Sequence, residues 1–204
     1  MTSAPRSRSM LRAAVAAVSI LAAAPAAAQP SSQPQLAQST RASVSATLAG
    51  RTIGGRWFAG AAGVAGPAEI RIDYGQPHAR GRRVMGVVVP FDTVWRTGAN
   101  LATTLTTDVD LVVGDAAVPR GVYTLFTLPS RDGWTLIVNR QTGQWGTDYD
   151  PRHDLARVAL RSRTLREPAE SLSFFLIPAR DGSPRGVMRI VWGDTELSTD
   201  WRVR

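Results

Sequence analysis

Six consecutive residues, Trp95-Arg96-Thr97-Gly98-Ala99-Asn100, concentrate an indole, a guanidinium, a hydroxyl and an amide. Arginine and asparagine hold fixed donors toward carboxylate, phosphate or sugar oxygens. An indole covers the apolar face of a sugar ring. Two readings of the block compete. In the first, Arg96, Thr97 and Asn100 converge on an anionic or sugar-like ligand, with Trp95 as a stacking wall. In the second, Trp95 packs under a sheet and Arg96 pairs with Asp92 or Asp73 or caps carbonyls. Gly98 or Asn100 then takes the left-handed conformation that shapes the turn. Two other segments carry matching chemistry. "HARGR" supplies Arg82, and "QWGTDYD" supplies Trp145 and Tyr149. A ligand site at one sheet end would draw on Arg82, Trp95, Arg96, Thr97, Asn100, Trp145 and Tyr149.

Catalytic constellations are weaker. His78, Asp150 and His153 could ligate a metal if their loops met. Neither segment has His-x-x-x-His spacing, and "YDPRHD" lacks the regular ladder of a calcium loop. No cysteine is present, and no serine stands in a Gly-x-Ser-x-Gly elbow. Binding without catalysis is therefore the leading expectation, and no cofactor is expected. The rivals are a periplasmic hydrolase, metal-dependent or using a carboxylate, and a purely structural domain.

The elements that must position these residues are strands. "AEIRIDY", "SLSFFLI" and "ELSTDWRV" alternate apolar and polar side chains with period two. Further strands are expected over 44–49, 84–89, 102–106, 109–113, 121–128, 134–139, 154–161 and 187–192. Turn signals such as "PSRDG" and "PARDGSPRG" separate them, and each Asp-Gly offers the positive φ of a hairpin. No segment of the mature chain shows a helical apolar stripe over ten residues. The expectation is all-β: a single antiparallel sandwich or flattened barrel.

The first residues read as a leader. Arg6, Arg8 and Arg12 precede an alanine-rich apolar run that ends in Ala26-Ala27-Ala28. That is the three-part pattern of a secretory signal cleaved before Gln29. The run is too short and too weakly apolar for a permanent anchor. The expected organisation is a signal peptide over 1–28, a disordered Pro/Gln/Ser-rich spacer over 29–43 and one β-rich domain over 44–204. The location would be periplasmic or secreted, with no stable membrane insertion after cleavage. The net charge of +8 comes wholly from arginine, because the chain has no lysine. These arginines are spread along the chain among acids, with no basic block for nucleic acid. A small molecule is the expected partner, and nothing in the pattern sets an oligomeric state.

"DYGQPHARGRRVMGVVVPFDTVWRTGAN", "VPRGVYTLFTLP", "GWTLIVNR" and "QWGTDYDPRHDLARV" occur in that order. In this the chain resembles a family of exported bacterial proteins classed as a domain of unknown function, marked by the Trp-Arg-Thr-Gly-Ala-Asn block. The resemblance spans roughly 45–201 and implies a compact β-rich exported domain. It implies no activity, ligand or catalytic residue. Two positions depart from the family pattern. Leu101 stands where an acid often follows the asparagine, and Gly193 stands where a glutamate often follows the late tryptophan.

Overall fold

The computed structural model describes residues 36–53, 56–59 and 67–204. The leader expected over 1–28, the Gly60–Gly66 segment and the side chain of Trp57 lie outside the described residues. The chain divides into a unit ending at Leu36 and a folded unit from Ala37 to Arg204. No helix among the described residues is long and apolar enough to cross a membrane.

The folded unit is all-β. Its strands are β1 (Ser39–Leu48), β2 (Gly50–Ile53), β3 (Arg56–Ala59), β4 (Ala68–Pro77), β5 (Thr103–Thr107), β6 (Leu111–Val113), β7 (Ala116–Val118), β8 (Gly121–Pro129), β9 (Trp134–Asn139), β10 (Asp154–Pro178) and β11 (Arg185–Val203). β2 and β3 pair as a separate hairpin, and the other nine form one sheet in the order β1-β4-β5-β8-β9-β10-β11-β6-β7. Every adjacent pair in that sheet is antiparallel. β1 begins at Ser39, inside the stretch expected to be spacer.

Two long strands give the sheet its shape. β10 pairs with β9 through residues 154–160, then with β11 from Arg161 onward. Between Thr164 and Ala169, β10 advances five residues while β11 retreats two, so a broad bulge interrupts the ladder. Pro168 sits in this bulge, where a missing N–H breaks no ladder bond. A bulge bends its strand and raises the local twist. The sheet therefore curls without closing. Tyr74 of β4 meets Phe174 of β10 with ring centroids 4.8 Å apart, although these strands lie four places apart in the sheet.

The concave side holds the main core, including Ile70, Ile72, Leu105, Leu125, Leu136, Leu172, Trp192 and Leu197. Period two sends Phe126 and Ile137 to the other face, where they form a second cluster with Ala102, Val94, Leu128 and Tyr149. β8 and β9 are thus buried on both faces. Each fully buried side chain of this size stabilises by about 1.5–3 kcal/mol. Loop residues around 94–102 and 149 therefore roof part of the sheet.

Residues 84–89, expected as a strand, form tight turns. Gly86 has φ 83°, and the N–H groups of Val88 and Val89 both donate to the Val84 carbonyl. The β-branched run favours a strand, but Gly86 and Pro90 puncture it, and Val84 and Val89 reach the core from a turn. The strands expected over 154–161 and 171–177 are one continuous element, β10, as are the two expected at the chain's end, β11.

Candidate functional site

Backbone bonds hold the Val94–Asn100 loop. Trp95 exchanges both backbone hydrogen bonds with Thr127 of β8, each 2.8 Å. The Ala99 N–H donates to Gly75 O, and the Gly146 N–H donates to Asn100 O, each at 3.0 Å. Glycines make these approaches possible. A Cβ on Gly75 would overlap the Ala99 carbonyl, and one on Gly146 would overlap Arg96 Cδ. Gly98 is also held by close approach, since its Cβ would fall 2.7 Å from Thr103 Oγ1.

The left-handed residues are Thr97 at φ 50° and Asn100 at φ 64°. The expectation of Gly98 or Asn100 thus holds at Asn100 and shifts from Gly98 to Thr97. A β-branched residue in this region is a genuine outlier. Thr97 is wholly buried, its hydroxyl donates to Thr127 Oγ1 at 3.2 Å, and its carbonyl accepts from Thr103 Oγ1 at 3.0 Å. Those bonds hold the strained backbone in place.

Three distant loops meet beside this block around a cleft of about 550 Å³. The turn after β4 brings Arg82, the 93–100 loop brings Trp95, Arg96 and Asn100, and the 146–149 loop brings Thr147 and Tyr149. Gln38 and Ser39 close the rim where β1 begins, and Val88 and Trp192 complete the apolar side. Trp95 stacks on Trp192 with centroids 5.8 Å apart and planes tilted by 21°. Such a pair adds about 0.5–1.5 kcal/mol beyond area burial and makes a rigid wall.

Among the described residues no carboxylate lines the cleft. Arg96 forms no ion pair among the described residues. Its Nε donates to Gly98 O at 3.3 Å, so it caps a carbonyl and pairs with neither Asp92 nor Asp73. Asp73 is held instead by Arg71, which lowers its pKa. Arg82 likewise caps carbonyls, with Nε to Ala79 O at 2.9 Å and Nη2 to His78 O at 2.7 Å. A guanidinium has five N–H donors, so both arginines keep donors to spare. Asn100 Nδ2 donates to Ser39 Oγ at 3.0 Å and ties the cleft to β1.

The bulge of β10 fixes the Arg82 turn. The Ala79 N–H donates to Glu170 O at 2.7 Å, and the Arg80 N–H to Glu170 Oε1 at 2.7 Å. Tyr149 is anchored by its hydroxyl, which donates to Asp154 Oδ2 at 2.9 Å and accepts from Arg157 Nη2 at 2.8 Å. Burial, then the Asp154 carboxylate, raises the Tyr149 pKa. Its ring is a wall and its hydroxyl is a strut.

The remaining expected residues stand elsewhere. Trp145 is 48% exposed and lies outside the lining, bridged to Leu101. Thr97 supports the cleft from beneath. His78 is buried, with Nδ1 2.8 Å from Ser171 Oγ. His153 Nδ1 is 3.4 Å from Asp150 Oδ2. Asp150 also caps the short 3-10 turn Pro151–His153 and is gripped by Arg152, which holds its carboxyl down at about 2. Among the described residues no group of three His, Asp or Glu side chains could hold a metal ion, so the structure does not gather His78, Asp150 and His153 into a ligand set. Gln38, Ser39, Val88, Thr147 and Trp192 escaped the sequence reading, because their place in the cleft depends on how the sheet curls.

A cysteine-free β domain with an acid-free cleft built from loops falls within a recognised family. The chain belongs to the family described as protein of unknown function (DUF2911), whose model matches residues 59–200. No curated protein and no solved structure matches it.

Proposed function

We propose that this protein is an exported, non-enzymatic binding domain whose cleft takes a small anionic or sugar-like ligand. One observation carries the reading. Arg82 and Arg96, neither paired with a carboxylate among the described residues, line a cleft that contains no acid and is walled by stacked indoles. A guanidinium attracts carboxylate or phosphate in a bidentate manner, Arg96 from a half-buried position and Arg82 from an exposed one. Asn100 and Thr147 add neutral donors and acceptors, and Trp95 offers an apolar face to a ring. The volume falls within the range of small-molecule sites. The backbone clamps around Trp95, Ala99 and Gly146 leave the cleft preorganised, which lowers the ordering cost of binding.

The proposed setting is the periplasm or the medium. Its support is the basic, apolar and small-residue order of the first 28 residues.

A thermal-shift screen of the full chain with sugar acids, sugar phosphates and neutral sugars tests the function. A ligand at 100 times its Kd stabilises by about 2.7 kcal/mol. That shift corresponds to several degrees in Tm for a domain of this size. Arg96→Ala is expected to weaken an anionic ligand at least about 10-fold, the scale of a charge-assisted bond. An Arg96→Ala variant that keeps wild-type affinity for the best ligand would refute the assignment.

A further inference from the structure

A second cleft of about 420 Å³ lies away from the first, at the far end of the β10–β11 hairpin. Ile177 and Pro178 of β10, Gly186 and Val187 of β11, and Trp201 near the end of β11 line it. β11 curls so strongly that its two ends meet here, with the Val203 N–H donating to Pro184 O at 2.8 Å. Gly186 packs so closely on the indole that a Cβ there would lie 2.8 Å from Trp201 Cζ2.

The indole carries an unmet donor. Trp201 is only 4% exposed, and its Nε1 has no hydrogen-bond partner among the described residues. Nε1 and Cζ2 are both bonded to Cε2, so the donor lies on the ring edge packed beside Gly186, itself a lining residue of the cleft. A buried N–H without an acceptor is costly, and indole can only donate. Two charged rim residues are already paired, Arg185 with Asp181 at 2.7 Å and Asp200 with Arg161 at 2.9 Å, while Arg202 stays exposed at the edge with no ion pair among the described residues. At the mouth Ile177 is 37% exposed, an apolar side chain that a ligand would cover.

We propose that this cleft is a second binding site, for a small apolar molecule carrying a carbonyl whose oxygen accepts from Trp201 Nε1. The apolar body lies against Ile177, Pro178 and Val187. The carbonyl meets the one polar group buried in the wall. The site is independent of the arginine-lined cleft and takes ligands of opposite character.

The test uses the full chain labelled with ¹⁵N at its six tryptophans. Trp201→Phe identifies the Trp201 indole resonance by its loss. Acetophenone is titrated against ethylbenzene, which has the same size without the oxygen. The expected result is a saturable downfield shift of the Trp201 N–H with acetophenone and a much smaller one with ethylbenzene. Trp201→Phe should weaken acetophenone about 3- to 10-fold in ligand-observed NMR, the range of one neutral hydrogen bond. Ile177→Arg, at an exposed position, should block the mouth while leaving the other indole resonances in place. The proposal is overturned if acetophenone leaves the Trp201 resonance unmoved. Equal binding of the two probes, or wild-type affinity in Ile177→Arg, overturns it as well.

Discussion

Thr97 and Asn100 spend backbone strain on one loop, and they do so for different ends. Thr97 faces inward and is fully buried, whereas Asn100 lines the cleft. Substitution separates the two roles. Asn100→Gly removes the amide but suits the positive φ, so stability in urea should change by less than about 1 kcal/mol. Binding of the anionic ligand should nevertheless weaken. Thr97→Val keeps the shape and deletes the hydroxyl, leaving Thr127 Oγ1 without that bond, and should cost about 1–3 kcal/mol. Equal stability loss in both variants would mean that the loop is only a structural clamp. The block itself was legible, because an arginine and an asparagine four residues beyond it are rare in a plain turn. Its partners were less so. Trp192 and Ser39 lie 153 residues apart in the chain, and the curl of the sheet brings them to one rim.

At the level of elements, the bulges decide what the strands can reach. Gly193 lies at φ 57° opposite Ala169, where the β10–β11 register shifts. A Cβ there would fall 2.9 Å from Val84 Cβ and Cγ2. Gly182, in the hairpin turn at φ 71°, has open space around it. Gly193→Ala should therefore cost about 2–3 kcal/mol from overpacking added to the φ penalty, and Gly182→Ala about 1 kcal/mol from φ alone. Urea denaturation of the two variants measures the difference. The same contact explains why an acid cannot follow Trp192 in this chain, since Val84 fills the space. Alternation made β4, the second half of β10 and the last part of β11 readable. It could not show that 154–161 and 171–177 are one strand, because "REPAE" breaks the period and reads as a loop. Nor could it reveal the turn over 84–89, where tertiary burial of Val84 and Val89 outweighs strand propensity.

Across the whole molecule, carboxylates are held by arginine. Arg71, Arg163 and Arg161 depress the pKa values of Asp73, Glu196 and Asp200 respectively. Arg152 holds Asp150 at about 2, and hydrogen bonds from Ser183 together with Arg185 lower Asp181. A carboxylate with a depressed folded pKa binds fewer protons folded than unfolded. Its stabilisation is present above the unfolded value near 3.9 and is lost as pH falls through the folded value. The Tm should therefore decline as pH drops from about 5 to 2. Most of these pairs are exposed, so 1 M NaCl should flatten the decline. A Tm that rises toward pH 3 would contradict the assignment.

The order of strands also sets a clock for the chain. The β6–β7 hairpin is made early, yet its only neighbour in the sheet is β11, which comes last of all the strands. Until β11 arrives, the hairpin has no neighbour in the sheet, and Leu111 and Val113 lack the strand on their other side. Such distant pairing is slow to form. Were the chain exported as proposed, this order of pairing would keep it threadable until its final ribbon had crossed.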